Sequence, residues 1–448
     1  MSSTDSINYI STGYVFPVLL IPKQKRLSTY QTKTPPPPQV SRNWKREYKR
    51  WIVSVIGTQG GAKGETSMSK HSSAPPPLAT MSDYVCEELI LEIIKRLPPK
   101  SLLRFRSLSK SLCSYISSPD FINMHTFQSP QKILFAHVNN SDNIVYTLHG
   151  EDELPLCLCP ERGYIGITTT TASFPCKPSF RIVGSCNGTF CLRTEKHLIL
   201  WNPSIRRKLN VPECECPEIP VSERSFAMFG FGFDPISDDY KIVRVSYAKV
   251  GSYVYAVKTG TWCEISSPKP RFSFVASEAF LFNGVLHWVV CVHDYDKESQ
   301  YNNLPDDYIL TFDLSTHVFG IIPLHGPPRH SFSTGLTTIQ DSLALISYGT
   351  DIDDTWIWVW RDASWSVVFK LGTCQLPIEG ALQLQSTNNG DLLLITLGAG
   401  LHVYKPTTQV RSRVVNFDAA SHLVYFWPFV ETLHLLDIGE FACETHLL

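Results

Sequence analysis

The 448-residue sequence lacks any apolar run near the ~18 residues that a membrane-spanning helix needs. Its early apolar cluster, Tyr14 to Ile21, is interrupted by Pro17, and no Lys or Arg precedes it, which argues against a secretory signal. Net charge is nearly absent, with 40 basic and 41 acidic side chains, so the chain as a whole is no polybasic nucleic-acid binder. The 13 cysteines are odd in number and scattered, which fits reduced buried thiols in the nucleus or cytoplasm better than a disulfide framework. No paired carboxylates, dinucleotide-type glycines or metal-ligand helix stand out, so no cofactor is expected. What the chain does have is 43% hydrophobic and 12% aromatic residues, enough for a sizeable core.

Charge divides the chain. Residues 1–80 hold eleven Lys/Arg against three Asp/Glu, a net of +8, and the remainder is −9. This first stretch carries the proline runs Pro35–Pro38 and Pro75–Pro77 and reads as a disordered tail. Its segment Arg42–Trp51 is basic and aromatic, as in an import or nucleic-acid patch, but a solvated charge run explains it equally simply. Residues 57–64 approach a phosphate loop, yet Ala62 and Gly64 stand where Gly and Ser/Thr must flank Lys63. Met81, just before the first patterned segment, is expected to be the natural start, with the tail an extension.

From Ser82 the pattern turns helical. Leu89, Ile90, Ile93, Ile94 and Leu97 form one apolar stripe, and Pro98-Pro99 stops the helix. A second helix is expected from about Lys100, a third over Ser109 to Ile116, and a final turn at Phe121, Ile122 and Met124. Such a module, residues 81–128, buries too little surface to stand alone. Its apolar faces need either a partner or the domain that follows. The run from Glu88 to Ser111, with Ser118-Pro119-Asp120-Phe121 at its end, resembles the plant type of F-box. The resemblance implies docking on a Skp-type adaptor and, through it, a cullin scaffold. The positions it assigns to docking are Val85, Cys86, Leu89, Ile93, Leu97, Pro98, Leu102, Leu103 and Leu112. The family has Leu-Pro where Val85-Cys86 stand, and Trp where Leu112 stands. Losing ~50 Å² of apolar contact would cost about 1 kcal/mol, so docking is expected to be weakened, not abolished.

Residues 131–448 read as short strands separated by Gly, Asn, Asp and Pro turns. A strand–turn–strand unit recurs, with turns at positions 202, 258, 313, 361 and 405. Asn187-Gly188, Asn283-Gly284 and Asn389-Gly390 mark hairpins at about twice that spacing. The expected fold class is therefore α+β multidomain, a helical module followed by an all-β repeat domain, propeller-like with about six blades. Gly184–Gly188, Trp201-Asn202-Pro203-Ser204, Phe231-Gly232-Phe233-Asp234-Pro235 with Asp238–Val243, and Phe282–Trp288 resemble the F-box-associated domain of plant F-box proteins. That domain is related to kelch propellers, although the kelch double glycine is missing here. The resemblance implies a substrate receptor.

Chemistry-bearing candidates are few. Gly184-Ser185-Cys186-Asn187-Gly188 fits a nucleophile elbow, but a strand follows where a helix is required, so a hairpin is expected. Cys157/Cys159 and Cys214/Cys216 are too closely spaced for an ordinary zinc site. His287, His317 and His402 are isolated, and Asp351, Asp353 and Asp354 suit a turn as well as a cation. Trp356, Trp358 and Trp360 share one strand face, as a ligand surface or as inter-sheet core. The function expected from all this is a non-catalytic, target-recruiting ubiquitin-ligase subunit acting by proximity. The alternatives are a non-degradative binding module and a propeller enzyme. The −9 body argues against nucleic acid as a partner.

Overall fold

The computed structural model describes residues 87–438 except 139–143, 151–171, 177–179, 196, 215–226, 247–250, 270–271, 273, 292–306, 325–334, 349–354, 372–380, 387–389, 391, 397–399, 406–409 and 416–422. The tail 1–80, its basic segment, the glycine-rich loop, Val85, Cys86, Cys157, Cys159, Cys216 and the three aspartates at 351–354 lie outside the described residues.

Four helices come first: α1 (Glu87–Lys95), α2 (Pro99–Arg106), α3 (Lys110–Ile116) and α4 (Pro119–Gln128). Pro99 both ends α1 and opens α2, because proline at the first helical position gives up no needed N–H. Ser109 caps α3 by accepting from the Leu112 N–H at 3.1 Å, and Ser118 caps α4 by accepting from Phe121 N–H at 3.3 Å. The last element is thus a full ten-residue helix and not the turn expected. Ser118-Pro119 reads as a stop for α3, but the same pair is a start signal.

The rest is six antiparallel sheets. Blade 2 is β4 (Phe180–Cys186), β5 (Thr189–Thr194), β6 (Leu198–Asn202) and β7 (Arg207–Val211); blade 3 is β8 (Ala227–Asp234), β9 (Asp239–Ser246), β10 (Ser252–Ala256) and β11 (Thr261–Ile265). In blade 4, β12 (Phe274–Val275) and β13 (Phe280–Phe282) both pair with β14 (Val285–Cys291), followed by β15 (Asp307–Asp313) and β16 (Phe319–Pro323). Blade 5 is β17 (Gly335–Ile339), β18 (Ser342–Tyr348), β19 (Thr355–Arg361) and β20 (Ser364–Leu371); blade 6 is β21 (Ala381–Ser386), β22 (Leu392–Thr396), β23 (Gly400–Lys405) and β24 (Val410–Val415). Blade 1 is composite. Its outer strands β1 (Gln131–Val138), β2 (Ile144–Gly150) and β3 (Ala172–Ser173) come early, and its innermost strand, β25 (Leu423–Val430), comes last. Innermost strands touch in the order β25, β4, β8, β13, β17, β21 and back to β25, which closes the ring. Closure through β25 ties the two ends of the domain together, since β25 from the end of the chain pairs with β1 from the start of the domain.

The recurring turns read from the sequence hold one structural position. Residues 202, 258, 313, 361 and 405 all lie at the turn between third and fourth strands, in blades 2 to 6 in succession. The Asn-Gly pairs at 187–188 and 283–284 join first and second strands of alternate blades, with positive φ at both residues of each. That is the backbone an Asn-Gly hairpin supplies without strain.

Candidate functional site

The helical module does not stand free. Ile90, Ile94, Leu102, Phe105, Leu112, Ile116 and Phe121 form one core, and Ile205, Leu433 and Leu436 of the β domain complete it. The second of the two readings of its apolar face therefore holds: the module packs on its own C-terminal domain. Leu102 and Leu112 are 0% and 2% exposed, so they support the module from within and present no docking surface. That corrects the assignment the resemblance implied for them. Ile93 is 40% exposed, Pro98 is exposed, and Leu97 and Leu103 are half-buried. Leu89 belongs to α1, but its side chain lies outside the described residues, as do Val85 and Cys86 altogether.

Residues 431–438 form a strap between the ring and the module. Asn202, fully buried at the end of β6, donates from Nδ2 to the carbonyls of Thr432 (3.1 Å) and His434 (2.7 Å). Its Oδ1 accepts from Ser204 N–H at 2.9 Å, and Ser204 Oγ accepts from Thr432 N–H at 3.1 Å. Thr432 Oγ1 meets Thr126 Oγ1 of α4 at 2.8 Å, and Arg106 of α2 pairs with Asp437 at 2.7 Å. The Trp201-Asn202-Pro203-Ser204 motif thus ties the ring to the strap. Gly188 is required beside it: a Cβ there would lie 2.1 Å from the Val430 carbonyl oxygen.

The Asp234 and Lys241 of the second resemblance motif also have a structural role. Lys241 Nζ donates to Asp234 Oδ2 (2.7 Å) and to the Leu314 carbonyl (2.8 Å), and lies 3.1 Å from His317 Nε2. Ser315 Oγ donates to Asp234 Oδ1, so the network bolts blade 3 to blade 4. Burial alone would raise the Asp234 carboxyl. Hydrogen bonds from Lys241, Ser237 and Ser315 outweigh it and hold the carboxyl well below the usual range.

The remaining candidates resolve as packing. Burial lowers His287 to about 4 and raises the Cys186 thiol to about 12, so neither is poised for chemistry at neutral pH. Asn187 and Gly188 form a hairpin turn, as expected, and no helix follows. His317 belongs to the Lys241 network; burial, then the neighbouring ammonium, lowers its pKa. His402 lies in β23, and its side chain is outside the described residues. Trp358 and Trp360 pack into the core between blades 4 and 5, and Trp358 Nε1 donates to Ser347 Oγ at 2.9 Å. Trp356 lies beneath the Lys370 ammonium, 4.5 Å from the ring centre. Among the described residues, no group of three His, Cys, Asp or Glu could hold a metal ion.

The two faces of the ring differ. At the face bearing the strap and helices the strands are joined by the tight connections 187–188, 203–206, 235–238, 283–284, 314–318, 340–341 and 362–363, and β2 also ends there, before residues 151–171. The strands that flank residues 212–226, 292–306, 324–334, 349–354 and 372–380 end at the opposite face. The helical module thus occupies one side of the ring, and most of the long connections leave from the other.

Comparison with known proteins matches these parts. Residues 125–394 match the family model described as F-box associated beta propeller domain, and residues 85–123 match the F-box domain. An F-box protein of Arabidopsis thaliana is 29% identical over 252 residues, spanning 54% of this chain and 61% of the relative. The chain thus covers less than two thirds of that relative's length. An Arabidopsis thaliana F-box/kelch-repeat protein is 25% identical over 308 residues, covering 63% of this chain and 78% of the relative. Among solved structures, TolB from Acinetobacter baumannii aligns with a TM-score of 0.41 at 10% identity, over 68% of this chain and 69% of its own. With a family model covering more than half of the sequence and an F-box ahead of it, the chain belongs to the F-box proteins that carry an F-box associated beta propeller domain.

Proposed function

We propose that this protein is the target-recruiting subunit of an adaptor–cullin ubiquitin ligase, and that it performs no bond chemistry itself. The observation that carries the reading is that the helical module sits on one face of a closed ring and most of the long connections, 151–171 excepted, leave from the other. The module docks a Skp-type adaptor through the apolar surface it leaves uncovered, at Ile93, Leu97, Pro98 and Leu103. Leu89, Val85 and Cys86 extend that set by family resemblance. The target binds on the far face. Catalysis is then proximity: the strap holds the module against the ring, so a bound target keeps one orientation relative to the ligase.

Deleting the helices is a poor test, because it strips the cover from Ile205, Leu433 and Leu436. Ile93→Glu is the better one. It puts a charge on an exposed apolar position without touching the core. Capture of purified adaptor by the full-length chain should fall at least tenfold, with the melting temperature unchanged. An unfolded variant is excluded by that second measurement. Failure of a folded wild-type chain to capture adaptor would sink the reading and favour a non-degradative binding module.

A further inference from the structure

Three arginines meet at the far face, where blades 2 and 3 adjoin. Arg181 on β4 and Arg193 on β5 stand directly opposite each other. The Arg193 guanidinium lies over the Phe229 ring at 4.7 Å and donates to the Ala227 carbonyl at 3.1 Å, which carries it across to blade 3. Phe229 is in turn the cross-strand partner of Arg244 on β9, so the Phe229 and Arg244 side chains share one face. Neighbouring Phe231, Ile242 and Tyr255 of that face pack against blade 2, which places Arg244 on the same side of the interface as the other two. Arg244 is only 5% exposed, and its Nη1 is buried with no hydrogen-bond partner.

A buried guanidinium N–H without an acceptor is costly unless an anion arrives to pair with it. Among the described residues, the Glu278 carboxylate, in the break between β12 and β13, interacts with Arg181 and Arg193. Burial raises its pKa, and Arg181 and Arg193 oppose that rise. Arg244 Nη1 is the group left without an acceptor. The body around this site is net acidic, so the cluster is local. Guanidinium groups present planar forks matched to carboxylate and phosphate oxygens.

We propose that Arg181, Arg193 and Arg244 form a receptor site for an anionic oxygen group, a carboxylate or a phosphate ester, on the target segment. The proposal rests on the target-recruiting reading above and specifies the target's chemistry. The site lies on the face from which most of the long connections leave, away from the helices, so an occupied site and a docked adaptor do not compete.

The test uses the full-length chain and three probes: inorganic phosphate, a glutamate-rich peptide, and the same peptide bearing one phosphoserine. Binding is read by calorimetry at low and high salt, with adaptor capture measured on the same sample. At least one peptide should bind and weaken with salt. Arg181→Glu and Arg244→Met should each weaken binding about tenfold or more, the loss expected of a charge-assisted contact. Preference for the phosphoserine peptide and for phosphate assigns a phosphate ester; equal binding of the plain peptide assigns carboxylates. Arg181 is exposed, so its variant stays informative if Arg244→Met does not fold. No binding of any probe by a chain that still captures adaptor overturns the proposal and leaves the recruiting role standing. Binding unchanged in Arg181→Glu overturns it as well. Absent adaptor capture with anion binding retained would strike the recruiting role alone.

Discussion

Asn202→Asp exchanges one amide nitrogen for an oxygen and changes almost no volume. In the native protein that nitrogen donates to two carbonyls, Thr432 at 3.1 Å and His434 at 2.7 Å, in a fully buried setting. A carboxylate there has no proton to give and faces two carbonyl oxygens. Two buried hydrogen bonds are lost at roughly 1 kcal/mol each, and two acceptors are left bare at roughly 1–3 kcal/mol each. A destabilisation of about 4–8 kcal/mol follows, and a neutral Asn202→Ala should cost less. The pH dependence separates charge from shape. Burial and the two carbonyls raise the folded-state pKa of the new carboxyl above its unfolded value near ~3.9. Below that unfolded value the acid is neutral in both states and keeps one donor, so the penalty is small. It grows as pH rises through the unfolded pKa and levels off above the folded one. Urea unfolding followed by tryptophan fluorescence from pH 3 to pH 8, with wild type alongside, reads this directly. A penalty that is absent, or flat across that range, would refute the role assigned to Asn202 and with it the anchoring of the strap.

Two further outcomes rest on the same geometry. Asp234→Asn removes the charge that pairs with the buried Lys241 and should cost about 3–5 kcal/mol in thermal or urea unfolding. Because the folded Asp234 pKa is depressed, wild type holds this stabilisation above the unfolded carboxylate pKa and loses it as pH falls, whereas the variant lacks that acid-sensitive component. Gly188→Ala sets a Cβ against the Val430 carbonyl at φ +72°, so β25 must shift or the turn must open. The expected result is a lowered melting temperature and faster proteolysis of the last strand. An unchanged melting temperature would mean that closure through β25 tolerates movement there.

Local chemistry made much of this fold legible. Positions 202, 258, 313, 361 and 405 show their period because a polar residue ends the apolar third strand of each of these blades at its turn into the fourth. Five blades could be seen that way. The sixth is shared between β1–β3 and β25, so no contiguous stretch carries its repeat. The helix stripe of α1 was equally plain, but a stripe shows that a face is apolar, not what covers it. Leu102 and Leu112, which the family resemblance assigns to docking, share a core with Ile205, Leu433 and Leu436 instead. The strap left only a faint trace, the apolar triplet Leu433, Leu435 and Leu436 and the buried Asn202 that meets it. Arg181, Arg193 and Arg244 carry no sequence pattern at all, since strand pairing and the packing of blade 2 on blade 3 bring them to one interface.

The strap joins the module by two kinds of contact, and their sizes decide which one matters. Arg106 and Asp437 form a close pair at 2.7 Å, but the aspartate side chain is about half exposed. Such a pair contributes about 0–1 kcal/mol, and salt reduces it further. Leu433 and Leu436 are 0% and 1% exposed within the helical core. Truncating a leucine so placed removes transfer energy and leaves a cavity, about 2–5 kcal/mol in all. Leu436→Ala should therefore loosen the module measurably and Asp437→Asn should not, although the ion pair is the more conspicuous contact. Hydrogen exchange of the α2 and α3 amides reads the difference, since those helices share one core with Leu433 and Leu436. Faster exchange in Asp437→Asn than in Leu436→Ala would mean that electrostatics, not burial, sets the orientation of the module on the ring. The orientation would then soften at high salt, and the amides of α2 and α3 would exchange faster under the same conditions.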